Sequence, residues 1–156
     1  DLEQCADFAM RFWAEYHRIY NAIDRLFLYT YSGKKRFFKG KGQNFYQYLY
    51  HHMIYTNSYS IKKGARKILE KDLMPGDMIV QNKTGGIGHV SVILNKAVKK
   101  NKADLYLIGF SFMPAQEFHI ERAGNEYGVS GWFYLKGFYK FLKKHFNYGK
   151  PVLRRF

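Results

Sequence analysis

From Cys5 onward the apolar positions Ala9, Phe12, Trp13, Tyr16, Ile19, Tyr20 and Ile23 recur at spacings of three and four, the period of a helix that buries one face. Cys5 then falls in the first turn. Asp1 or Glu3 stands near the start, where a carboxylate suits the positive end of the helix dipole. The aromatic run RLFLYTY (25–31) reads as a strand and the stretch 32–42 as a Gly/Lys loop. Residues 43–55 and 60–71 predict two further helices, with Ser58 or Ser60 as a candidate N-cap.

The pattern changes at Leu73. Met74-Pro75-Gly76-Asp77 is a turn signal that releases into MIVQ, and KTGGIG (83–88) is a tight turn before HVSVILN (89–95), whose β-branched alternation completes a hairpin. LYLIGFSF (105–112) predicts a third strand and QEFHIER (116–122) a fourth; SGWFYL (130–135) and the final KPVLRRF add edge strands, and a helix is expected over 138–146. Helices first and an antiparallel meander second predict an α+β domain with a helix lying on a sheet. A chain of 156 residues supports one hydrophobic core, so 1–156 is expected to form one domain.

Composition agrees: 47% of residues are apolar, and charges interrupt every apolar stretch before it reaches the ~20 residues of a bilayer span, so no transmembrane segment is expected. The formal net charge is +14, from 26 basic and 12 acidic residues, with lysines grouped in loops such as GKKRFFKGKG, SIKKGARK and KAVKKNK. That balance makes nucleic acid, an anionic membrane or another anionic polymer surface such as an acidic cell-wall polymer a plausible neighbour, although lysine runs of this kind are more often a solvated face. The single cysteine makes no internal disulfide. The opening at Asp1 implies that a leader was removed or that the chain is part of something longer. LEQC (2–5) lacks the small residues of a lipid-attachment site.

A thiol at a helix N-terminus is drawn toward thiolate by the dipole and by unpaired N–H groups, and a cysteine enzyme adds an imidazole and a third group to orient it. His89 begins a strand after a glycine-rich turn, where its ring is expected to project from the sheet rim toward the helix N-terminus. The orienting group is sought among Ser111, Gln116, Glu117 and His119. Against this stands the simpler account of Cys5 as a small buried hydrophobe and His89 as a satisfied structural residue. His51 and His52 are adjacent and point about 100° apart on a helix, and neither a His-Glu-x-x-His nor a cysteine pair occurs; no metal or cofactor is expected. No helix-turn-helix, zinc-finger or RNA-recognition signature marks specific nucleic-acid recognition.

QCADF (4–8) opening a long helix, PGDMIV (75–80) and GHVSVIL (88–94) together resemble the NlpC-type cell-wall peptidases and CHAP amidases, which share a papain-like fold. QCAD, PGD, GH and SFMPAQEFHI (111–120) more closely resemble a bacterial domain of unknown function with a similar series, in which the domain follows an N-terminal stretch. The resemblance implies an N-terminal catalytic helix packed on an antiparallel sheet. It makes Cys5 the nucleophile, His89 the general base and acid, and Gln116 the preferred orienting group. The implied reaction is hydrolysis of an amide in a cell-wall peptide, in an extracytoplasmic setting. In NlpC-type enzymes the third group sits on the strand after the histidine strand, where LYLIGFSF offers apolar residues or Gly109, with Ser111 the nearest polar alternative. The rivals are a non-catalytic binding module for an anionic polymer and a Cys–His acyltransferase.

Overall fold

The computed structural model describes residues 3–156; Asp1, proposed beside the first helix, lies outside them. Helix α1 spans Cys5–Ile19. A short two-stranded sheet follows, β1 (Phe27–Tyr29) with β2 (Lys35–Phe37), so the expected loop at 32–42 contains a strand. Helix α2 covers Phe45–Tyr55 with Asn44 as N-cap, its side chain accepting from Gln47 N–H at 3.0 Å. Helix α3 covers only Ser58–Gly64, capped by Asn57 rather than by either serine. It stops where Gly64 lies beneath the Tyr29 ring and the chain turns extended into β3 (Arg66–Lys67).

The remaining strands are β4 (Met78–Asn82), β5 (Gly88–Ala97), β6 (Leu105–Phe110), β7 (His119–Glu121), β8 (Gly128–Val129), β9 (Trp132–Tyr134) and β10 (Val152–Arg155). Helix α4 occupies Leu135–His145. The main sheet runs β3-β10-β4-β5-β6-β9-β8, with β7 also pairing β6, and every pairing is antiparallel. The expected α+β architecture is therefore present. The C-terminal strand was expected at an edge; instead β10 lies between β3 and β4.

Strand alternation divides the core into two. Met78, Val80, Val90 and Val92 face α1, α2 and the β1–β2 hairpin. Ile79, Ile93, Ile108 and Phe110 face α4 through Phe138 and Leu142. The buried face of α1 differs from the aromatic stripe that the periodicity suggested. Ala6, Ala9, Met10, Ala14 and His17 are buried, whereas Phe12, Tyr16, Ile19 and Tyr20 are exposed. Small side chains let the helix axis approach the sheet, Trp13 packs at the margin of the core, and the rings of Phe12, Tyr16 and Tyr20 are left outside.

Asp77 accounts for the Pro-Gly-Asp turn. Its carboxylate is 1% exposed and accepts from Met74 N–H at 2.9 Å and from Arg155 Nε and Nη2 at 2.5 and 2.7 Å. The turn that starts β4 thereby fastens the end of β10.

Candidate functional site

Cys5 is the first helical residue of α1. Gln4 N–H donates to Asp7 Oδ2 at 2.8 Å, so Asp7 shapes the helix entrance, and burial raises its carboxyl above the ordinary range against that hydrogen bond. The half-buried Cys5 thiol lies 4.0 Å from Gly88 O, at the start of β5. Burial pushes the thiol up to about 11, and the neighbouring Asp7 adds to the rise, against the opposing pull of backbone N–H groups at Val90, Ala6 and Cys5. At neutral pH it is a thiol, not a thiolate.

The sulfur thus touches the peptide groups on either side of His89, but the imidazole goes elsewhere. His89 pairs across the sheet with Gln81, and both side chains occupy the α4 face, while Gly88 and Val90 flank them on the α1 face. Its ring stacks on Phe146 at 4.7 Å between centroids and meets Phe110 and Phe112 edge-on at 4.9 and 6.1 Å. The residue is 1% exposed and its Nε2 is buried without a hydrogen-bond partner. Burial, with a smaller contribution from His119, pushes its pKa down to about 3. The ring expected to face the helix N-terminus instead sits neutral in an aromatic cage, because period-two alternation sends residue 89 to the face opposite residues 88 and 90. Among the described residues no hydrogen bond joins Cys5 and His89.

The orienting candidates are also dispersed. Gln116 is exposed, and its contribution is a backbone carbonyl that accepts from Ser111 Oγ at 2.7 Å. Ser111 is fully buried and its hydroxyl also lies 3.3 Å from Glu3 O, tying the chain before α1 to the segment after β6. Glu117 is exposed, and His119 lies 3.5 Å from Glu121 while contacting the other side of the Phe110 cluster at 4.8 Å. Where a polar side chain on the strand after His89 would hold the ring, the structure has Phe110.

Gln81 escaped sequence reading. Its amide donates to Phe146 O and Gly149 O at 2.9 and 2.8 Å, strapping the α4–β10 link over His89. The available signal was a polar pair, Gln81-Asn82, in a strand that is buried throughout. Gly88 of the Gly-His pair has a packing reason: a Cβ there would strike Ser58 Oγ and Gln81 O. Two grooves flank α1. One, of about 890 Å³, runs between its first turns and α2, past Asp7, Arg11, Tyr46 and Tyr50. The other, of about 570 Å³, is apolar and lined by Phe12, Trp13, Tyr16, Val92 and Phe156. His89 lines neither. Among the described residues no three His, Cys, Asp or Glu side chains converge as metal ligands.

An antiparallel α+β domain with a cysteine at its first helix start, a buried Gly-His strand and a Pro-Gly-Asp clamp is the class that fold and site define. The chain belongs to the family described as domain of unknown function 4846, whose model matches residues 29–155. No curated protein and no solved structure matches it.

Proposed function

We propose that this domain is a binding module for an anionic polymer, built on a papain-like scaffold of the NlpC type whose hydrolytic pair is not assembled. The observation behind the unassembled pair is the His89 cage. General-base catalysis needs an imidazole within hydrogen-bond reach of the sulfur and a third group to orient it. Phe110, Phe112 and Phe146 surround this one, and the thiol is held protonated. A net charge of +14 supports the polymer.

A second reading, the Cys5–His89 peptidase or amidase, is favoured by the position of the sulfur against Gly88 O and the Val90 N–H, directly beside the histidine's own peptide groups. In it His89 would take the Cys5 proton as the sulfur attacks an amide carbonyl of a cell-wall peptide and return it to the leaving amine as the C–N bond breaks, and water would then cleave the thioester, releasing the acid and restoring the thiol.

Iodoacetamide alkylation of Cys5 against pH separates the two. The binding reading expects slow reaction at pH 7, a midpoint above that of a free thiol (about 8.5), and an unchanged profile in His89→Gln. Rapid reaction below that midpoint, lost in His89→Gln, would establish the hydrolytic pair instead.

A further inference from the structure

The positive charge is segregated. There is no Asp or Glu from Arg25 to Leu69, from Met78 to Ala103, or from Tyr127 to Phe156. Four segments from these stretches meet at one end of the molecule. The β1–β2 turn packs through Gly33 against Lys63 at the end of α3. Lys62 donates to Asn82 O at 2.6 Å, at the end of β4. The α4–β10 link packs through Gly149 against Lys83 in the β4–β5 turn. Lys34, Lys63, Lys83 and Lys150 are thereby gathered and exposed, and none of them enters a salt bridge among the described residues, whereas Lys96 and Lys144 pair with Asp104 and Glu126.

Aromatic rings stand among these cations. Tyr31, 50% exposed, is held by a hydrogen bond from its hydroxyl to Gly85 O at 3.1 Å, and its ring contacts Tyr59 at 5.4 Å. Asn57 Nδ2 also donates to Gly85 O at 3.0 Å, and Gly85 N–H to Asn82 Oδ1 at 2.7 Å, so the turn beneath the rings is fixed. Lysines supply point charges along a backbone without the planar fork by which arginine reads one geometry, and an anchored exposed ring offers a stacking surface that accepts any base.

Resting on the anionic-polymer reading above, we propose that this end of the molecule binds single-stranded nucleic acid without sequence preference. Lys34, Lys63, Lys83 and Lys150 meet the phosphates, and Tyr31 stacks on a base. Neutralising about four phosphates predicts a slope of log K against log salt of roughly −3. The test is fluorescence anisotropy with a labelled 20-mer of deoxythymidine, with polyglutamate as a base-free competitor. Lys63→Glu/Lys83→Glu is expected to weaken binding at least about tenfold. Tyr31→Ala is expected to weaken it about tenfold, through loss of the stacking ring. Reversal at Lys99, Lys100 and Lys102, in the β5–β6 loop, should leave it within about threefold. Equal losses from the two sets of reversals would overturn the assignment of the face while sparing the polymer reading. Competition by polyglutamate at equal charge, with Tyr31→Ala without effect, would overturn nucleic acid in favour of any polyanion. Failure to bind either polymer at low salt would remove the polymer reading itself.

Discussion

His89 carries a cost that pH can expose. In the unfolded chain an imidazole takes up a proton near pH 6.5, whereas the folded ring resists protonation down to about 3 because burial disfavours the charged form. Between those values the unfolded state binds more protons, so stability falls as pH falls, by up to about 1.4 kcal/mol per unit. His52, also lowered chiefly by burial, contributes in the same direction. Urea unfolding from pH 7 to 4 should therefore show a steeper loss for the unmodified protein than for His89→Leu, which keeps an apolar side chain in the cage and removes the unpartnered Nε2. Equal slopes would mean that the ring protonates in the folded state. Asp77 and Arg155 give a second residue-scale expectation, one of asymmetry. Arg155→Leu strands a carboxylate that is 1% exposed and should cost about 3 kcal/mol, whereas Asp77→Asn leaves a guanidinium that water can reach and should cost about 1 kcal/mol. Denaturation midpoints of the two variants check the order.

At the scale of elements, α1 poses a packing test. Ala14 is fully buried, so Ala14→Leu should destabilise by about 1–3 kcal/mol, while Tyr20→Ser, on a residue 68% exposed, should change stability by less than about 0.5 kcal/mol. The reverse order in thermal unfolding would restore the aromatic face as the buried one. Periodicity located this helix and its start at Cys5, because spacing is written locally. It placed the stripe only in part: Ala9 is buried and Trp13 packs against the core, but Phe12, Tyr16, Ile19 and Tyr20 stay outside, because aromatic rings carry more apolar surface than alanines while only the alanines permit close approach. The strands β4, β5 and β6 were legible for the same local reason, as were the turns that precede β4 and β5. The truncated α3 was not: its end depends on Gly64 fitting under Tyr29, a contact across 35 positions of chain. The candidate site divides the same way. The motif order brought Cys5 and His89 to the same strand end, and the alternation of β5 sets residue 89 opposite Val90; that Cys5 lies on the Val90 face, and that Phe146 closes the cage, are long-range contacts that spacing does not reveal.

For the whole molecule, the decisive element is the last one. β10 pairs on one side with β4, through Val152↔Val80, Leu153↔Ile79 and Arg154↔Met78, and on the other with β3, through Arg154↔Lys67 and Arg155↔Arg66. Arg154 Nε also donates to Lys62 O at 2.7 Å, joining the sheet to α3. Phe156 stacks between Trp13 of α1 and Tyr29 of β1, at 5.2 and 5.7 Å. The C-terminal five residues therefore join both core halves and the small sheet. Deletion of 152–156 would expose the β4 ladder edge and strand the Asp77 carboxylate at once. Such a truncation should lose cooperative unfolding altogether, with near-ultraviolet circular dichroism collapsing, whereas removal of an ordinary edge strand would lower the midpoint and leave the transition intact. A sharp transition in the truncated chain would show that β3, α3 and α1 hold their places on β4 without it. The clamp from the Pro-Gly-Asp turn would then be a local fastening, not the closure of the domain.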